Sequence, residues 1–179
     1  MWMLGIGIGV VAGAIIGRFL AQRVRTSGKD DRALLALEYE LFTVAREHGR
    51  NALEAHAADW RGSPIFRRYP TIARDEVVRA YLIDALLLLA DDAHAEDLDQ
   101  LLSASLRIMR KRRHDGRSPE RRNKTLESIR RSVLAMRRGA TPVAAVRRGR
   151  DVLDVKPATC DITRALVELS RPVPPRPRN

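Results

Sequence analysis

The stretch 77–89 reads VVRAYLIDALLLL and carries apolar residues on nearly every side of a helix. Its apolar positions recur every three or four residues, which is the period of an α-helix. A helix with so wide an apolar surface has to be covered by other elements, so the sequence predicts that it is the central core helix. Arg79 and Asp84 interrupt the run, and it is too short for a membrane span.

Amphipathic stretches on both sides predict the helices that cover this core. Upstream, we expect one helix from about Asp31 to Trp60, after a short polar joint at 26–32. Its stripe is Leu34, Leu37, Leu41, Val44, His48, Ala52 and Ala55. Downstream, we expect helices over 98–109, from Ser118-Pro119 to Gly139, from Thr141-Pro142, and from Asp161 or Thr163. The predicted fold class is therefore all-α, with four to six helices in a small cytoplasmic domain.

The N-terminus, MWMLGIGIGVVAGAIIG (1–17), contains no charged side chain. A transmembrane helix needs about 20 mainly apolar residues. The run is slightly short, but Phe19–Ala21 extend it if the Arg18 side chain reaches toward the headgroups. The sequence therefore predicts a single N-terminal transmembrane helix.

Four glycines in this run are spaced by four: Gly5, Gly9, Gly13 and Gly17. Residues at that spacing lie along one face of a helix, where the backbone of another helix can approach closely. We predict that this glycine face packs against a second copy or another membrane protein. A plain anchor, whose small residues follow from composition, is the alternative.

The orientation of the anchor follows from Arg18, Arg23 and Arg25, which come directly after the apolar run. By the positive-inside rule, the N-terminus faces outward and the rest of the chain is cytoplasmic. A cleaved signal peptide is the main alternative, yet only uncharged residues precede Leu4. Together with the amphipathic stretch 34–41, this N-terminus resembles small bacterial inner-membrane proteins of envelope growth and division. The likeness ends at Phe42 and implies location in the bacterial inner membrane.

The basic charge of the chain is concentrated in one block. Residues 107–150 hold 16 Lys or Arg and three Asp or Glu, whereas residues 1–106 hold 12 and 15. Such a block is typical of a surface that binds a polyanion or an anionic membrane leaflet. The predicted binding residues are Arg110, Lys111, Arg112, Arg113, Arg121, Arg122, Lys124, Arg130, Arg131, Arg137 and Arg138.

Three targets compete for this block: anionic membrane lipid, an acidic protein partner and nucleic acid. Nearby cations each add about 1 kcal/mol at an anionic leaflet, and phosphate contacts would make nucleic-acid binding steeply salt-dependent. We favour a structural or adaptor role, with a membrane-tethered nucleic-acid binder as the alternative. The corresponding division is an anchor (1–25), an amphipathic helical domain (26–113), a basic helical segment (114–170) and a disordered Pro/Arg tail (171–179).

The sequence contains no convincing catalytic constellation, and we expect no enzyme activity, cofactor or small-molecule substrate. The joint DDAHAED (91–97) is the one cluster with metal-ligand residue types, so a metal-dependent enzyme using Asp91, Asp92 and His94 is the weakest alternative. A magnesium site around a diphosphate would need a second acidic motif on a facing helix, and none is present. The single cysteine, Cys160, excludes an intramolecular disulfide and a cysteine-based zinc site.

Overall fold

The computed structural model describes the backbone of residues 7–91, 93–111 and 118–153, and the side chains of 28–91, 93–109 and 118–153. All regular secondary structure within these ranges is helical, which confirms the predicted all-α class. The helices are α1 (Gly7–His48), α2 (Ala52–Ala58), α3 (Pro64–Arg68), α4 (Pro70–Arg74), α5 (Glu76–Ala90), α6 (Ala95–Lys111), α7 (Pro119–Arg137) and α8 (Pro142–Arg150).

The first helix differs from the prediction at both ends. It runs without interruption through the expected joint at 26–32, and its 42 residues span about 63 Å. It then ends at His48 instead of continuing to Trp60. Gly49 follows with a φ of +86°, a left-handed conformation that side chains rarely tolerate, and this residue turns the chain into α2. α1 therefore joins the expected anchor to the first expected helix of the domain. With the break at Gly49 and the one-turn helices α3 and α4, the described part holds eight helices, whereas an anchor and a domain of four to six helices were expected.

No helix in the described part of the chain is long and apolar enough to cross a membrane. The predicted anchor, 1–25, lies outside the residues whose side chains are described. Within it, the structure gives a helical backbone from Gly7 onward. Its placement in a membrane is therefore a proposal, which is taken up below.

The helix α5 occupies the centre of the fold, as predicted from its apolar surface. Its buried side chains include Tyr81, Leu82 and Leu86, all without solvent exposure, and it contacts α2, α4, α6 and α7. The buried apolar residues form one cluster that extends from Leu34 on α1 to Leu153 after α8. The predicted domain boundary at 113/114 lies in the range 112–117, outside the described residues, and stays a prediction.

Side-chain caps fix the starts of several helices. Ser118 accepts a hydrogen bond from the backbone N–H of Arg121, and Thr141 accepts one from that of Ala144. Each stands directly before a proline, at a helix start that the sequence predicted. At the start of α5 the cap is Asp75, whose carboxylate accepts from the N–H of Val78 at 3.0 Å.

Candidate functional site

Two contacts set the direction of α7, which carries most of the predicted binding residues. Arg121, in its first turn, pairs with Asp31 of α1 at 3.1 Å, and Ser132 hydrogen-bonds Glu38 of α1 at 2.7 Å. Both helices therefore run in the same general direction. The start of α7 and the end of α6 at Lys111 consequently lie at the end of the fold from which α1 continues toward Gly7.

The predicted binding residues thus fall into two groups. We call the first the proximal group: Arg110, Lys111, Arg112, Arg113, Arg121, Arg122 and Lys124. The second, the distal group, consists of Arg130, Arg131, Arg137 and Arg138. An α-helix rises about 1.5 Å per residue. Arg121, in the first turn of α7, and Arg138, its C-cap, are therefore separated by about 25 Å along the helix. One flat surface at an end of the domain cannot contact both groups.

Most described cations of the proximal group are engaged within the fold. Arg121 is bound to Asp31, and Lys124 lies 3.9 Å from Glu120 one turn earlier. Arg122 is only 5% exposed, so its assignment to a binding surface is wrong. Its position, four residues before the buried Leu126, places it on the inner stripe of α7. The side chains of Arg110 and Lys111, and residues 112–113 entirely, lie outside the described residues.

In the distal group, Arg130 and Arg131 bind carboxylates of the fold. Arg130 forms ion pairs with Asp99 on α6 and with Glu127 one turn earlier, and Arg131 also pairs with Glu127 at 3.1 Å. Partial burial alone would raise the pKa of the Glu127 carboxyl, but hydrogen bonds from both arginines outweigh it and lower this pKa. The same hydrogen bond to Glu127 raises the pKa of Arg130. Arg130 therefore joins α6 to α7 and is not a free ligand-binding cation.

An open groove of about 780 Å³ lies where α7 turns into α8, and we call it the α7–α8 groove. Arg130, Arg131 and Arg138 line it, so the structure brings three predicted residues together. Arg148 of α8 joins them, although it was not among the predicted residues. Its signal was present in the sequence, since it belongs to the basic run 147–150.

The free charge of the α7–α8 groove comes from its exposed rim. Arg138 and Arg148 are exposed, and within the described ranges neither guanidinium group makes an ion pair or a hydrogen bond. Arg137 is half-buried and has an interaction within the fold. Guanidinium groups bind carboxylate and phosphate with paired hydrogen bonds. The groove is therefore able to bind an anionic group of either kind.

The remaining predicted positions lie apart from this groove. Gly9, Gly13 and Gly17 belong to the helical backbone of α1, while Gly5 is outside the described residues; the packing of the glycine face stays a prediction. His48 was expected on the buried stripe, but it is exposed at the end of α1. In the acidic joint, Asp91 and His94 are exposed. Over the ranges that the structure describes, no three His, Cys, Asp or Glu residues are placed to hold a metal ion.

A fully buried carboxyl group was missed by the sequence prediction. Glu38 has no solvent exposure, and one of its oxygens is bound to Ser132 while the other has no hydrogen-bond partner among the described atoms. The spacing offered a signal, because Glu38 lies four residues after Leu34 and three before Leu41. The residue type argued against burial, since isolated acids are rarely placed in a core.

Comparisons with known proteins give no relative from which a role could be inferred. No family model matches the chain, and no curated protein or solved structure is significantly similar to it.

Proposed function

We propose that this protein is a membrane-anchored structural or adaptor protein. Its N-terminal helix spans the membrane with the N-terminus outside, and its helical domain presents cations on the cytoplasmic side. The end of α6 and the start of α7 face anionic lipid, and the α7–α8 groove binds an acidic partner protein. The glycine face supports packing against a second copy or another membrane helix.

The observation that carries this proposal is the position of the start of α7. The pair between Arg121 and Asp31 holds this start beside the point where α1 leaves the domain toward Gly7. From Asp31 back to Arg25 the helix covers about 9 Å, and back to Arg18 about 20 Å. Charges act over a Debye length of about 8–10 Å at physiological ionic strength. Cations at the end of α6 and the start of α7 are thus within reach of headgroups that lie near the arginines following the apolar run.

The distal group points to a different target. The α7–α8 groove lies about 25 Å farther along α7, beyond the range of a headgroup layer at the opposite end. Its free guanidinium groups, Arg138 and Arg148, suit carboxylates of a protein that stands beside the domain. A single basic block in sequence therefore supplies two surfaces with different roles.

Membrane extraction of the full chain tests the anchor. Chain expressed in bacteria should stay in the membrane fraction after alkaline carbonate. The variant V11R/I15R should move to the supernatant, because each arginine in the centre of a span opposes insertion by about 2.5–3.5 kcal/mol. The control A55R/A58R adds the same charge at exposed positions of α2 and should remain in the pellet. Release of the unmodified chain by carbonate would disprove the anchor.

A membrane-tethered nucleic-acid binder is the competing function. Among the residues that line the α7–α8 groove, none is aromatic, so bases have no stacking platform there. Phosphate contacts alone would give binding that weakens steeply with salt. Duplex titration of the detergent-solubilised full chain decides between the two, and binding at low salt that R138E/R148E abolishes would favour nucleic acid.

A further inference from the structure

A second groove, of about 370 Å³, lies beside the start of α5, and we call it the Trp60 groove. Its apolar side includes Trp60 and Pro70, and its guanidinium groups belong to Arg61, Arg67, Arg74 and Arg79. None of the described residues that line it is Asp or Glu. An apolar floor with an unneutralised cationic rim fits an anionic ligand that also brings an apolar side chain.

The four arginines have two different roles. The guanidinium groups of Arg61 and Arg79 lie 4.5 and 4.3 Å from the centre of the Trp60 ring, within the range of cation–π contacts. Arg79 is fixed further by a hydrogen bond to the carbonyl of Ala73 at 2.5 Å. Arg67 and Arg74 are exposed, and their guanidinium groups make no ion pair or hydrogen bond within the described part of the chain. They are the cations available to a ligand.

This arrangement favours carboxylates over nucleobases as ligands. A base that stacks on Trp60 would have to displace a guanidinium group from the ring. Carboxylates can bind Arg67 and Arg74 in paired hydrogen bonds and leave the indole undisturbed. The matching surface is therefore an acidic protein surface with an exposed apolar residue.

The chain carries such a surface where α5 is followed by α6. Residues 80–106 hold six Asp or Glu and no Lys or Arg. Asp91, Glu96 and Asp97 are exposed there, and Leu101, one turn after Asp97, is 51% exposed. Asp97 and Leu101 line the same side of α6 in an open groove between α6 and α7. We call these four residues the acidic corner.

The two surfaces lie at opposite ends of α5, so they cannot meet within one molecule. Arg74 and Asp75 precede the first residue of α5, Asp91 follows its last, and its 15 residues span about 22 Å. Complementary patches at opposite ends of a molecule lead to heterologous, head-to-tail contacts between copies.

Both surfaces also lie at the same level along α1. Arg68 and Tyr69, beside the Trp60 groove, bind the carboxylate of Glu40. Asp99 of α6 binds Arg130, half a turn from Ser132, which binds Glu38. Copies whose α1 helices stand side by side therefore bring a Trp60 groove and an acidic corner to the same height.

We propose that the Trp60 groove binds the acidic corner of a second copy of this chain, head to tail. Arg67 and Arg74 pair with Glu96 and Asp97, and Leu101 packs on the apolar side of the groove. This contact depends neither on the glycine face nor on membrane insertion.

Charge exchange tests this contact in the full chain, solubilised in detergent and labelled at Cys160 with a donor or an acceptor dye. Energy transfer between copies is measured as a function of protein concentration at low ionic strength. R67E/R74E makes the groove acidic, and E96R/D97R makes the corner basic. Each variant alone should weaken self-association roughly tenfold or more, because like charges then face each other. An equal mixture of the two should regain the wild-type affinity, since each chain again finds an opposite charge.

R32E/R46E, which reverses two exposed arginines of α1, is the matched control and should associate like the wild type. All six reversed positions in the three variants are exposed, and the far-UV circular dichroism of each variant should equal that of the wild type. Energy transfer that arises from packing of the glycine face would be equal in every variant. It is therefore recorded separately from the change in energy transfer that the charge reversals cause. The proposal would be overturned if the charge-reversed variants associated as tightly as the wild type, or if the mixture of the two variants did not regain the wild-type affinity. It would also be overturned by a chain without salt-sensitive self-association, which is the result expected if another acidic protein occupies the groove.

Discussion

Glu38 on α1 and Ser132 on α7 share a hydrogen bond of 2.7 Å between their side-chain oxygens, across 94 positions of sequence. Neither side chain is exposed to solvent. The Ser132 hydroxyl also lies 3.0 Å from the carbonyl of Ile129. A hydroxyl has one proton and cannot fully serve two acceptors, whereas a neutral Glu38 donates to Ser132 and leaves the serine proton for Ile129. The geometry therefore favours the protonated form of Glu38.

The first prediction concerns the pH dependence of stability. Burial raises the pKa of the Glu38 carboxyl to about 8, although a hydrogen bond that the ionised form would accept from Ser132 opposes this. A folded-state pKa above the unfolded value means that the stability is fully present below the unfolded pKa and is lost as pH rises toward the folded one. Between about pH 5.5 and 7.5, the Glu38 contribution to the free energy of unfolding should fall by about 1.4 kcal/mol per pH unit.

Denaturant unfolding at several pH values measures this slope, and the variant E38Q is its control. Glutamine keeps the size and hydrogen-bonding capacity of the protonated acid but does not ionise. E38Q should therefore lose the slope and should be more stable than the wild type near pH 7.5. Equal slopes for the two proteins would show that Glu38 is charged in the folded state.

The second prediction compares two glycines in helices. A Cβ atom added at Gly149 would lie 2.9 Å from the Ser128 hydroxyl and 3.0 Å from the Ser128 carbonyl, so α8 would have to move away from α7. G149A should lower the free energy of unfolding by about 1–3 kcal/mol. At Gly28 the added atom meets nothing within 4 Å, and G28A should raise it by roughly 0.5–1 kcal/mol. Thermal unfolding of both variants checks the pair, and a neutral G149A would contradict the close packing of these helices.

The third prediction separates two neighbouring arginines. The Arg130 side chain is 21% exposed and joins Asp99 of α6 to Glu127 of α7, whereas Arg131 is 55% exposed and pairs within its own helix. R130A should lower the free energy of unfolding by about 1–3 kcal/mol, because it breaks the link between α6 and α7, leaves Asp99 without its partner and leaves Glu127 paired with Arg131 alone. R131A should lower it by about 0.5 kcal/mol or less. Denaturant unfolding at neutral pH measures both, and equal losses would remove the special role of Arg130.

The sequence predicted the features that depend on near neighbours. The helix starts at Ser118-Pro119 and Thr141-Pro142, the stop at Gly139 with its φ of +85° and the apolar surface of α5 are encoded within a few residues. The burial of two ionisable side chains was not predictable, because Glu38 and Arg122 lie on apolar stripes but are residue types that normally occupy solvent-exposed positions. Nor was the pairing of Asp31 with Arg121, which depends on how α1 and α7 pack. The basic block consequently appeared as one surface, although the direction of α7 divides it into two groups.

The last prediction tests that division in the membrane. In a background with Cys160 replaced by serine, K124C and R138C place single labels near the start and just after the end of α7. The full chain is incorporated into nanodiscs that contain anionic lipid and lipid spin-labelled at the headgroup. If α1 continues into the bilayer, a fluorophore at position 124 lies about 21 Å closer to the headgroups than one at position 138. Spin-label quenching falls steeply over that distance, so K124C should be quenched much more strongly than R138C. Equal quenching would mean that the domain lies flat on the membrane, and the reverse order would mean that it stands the other way up.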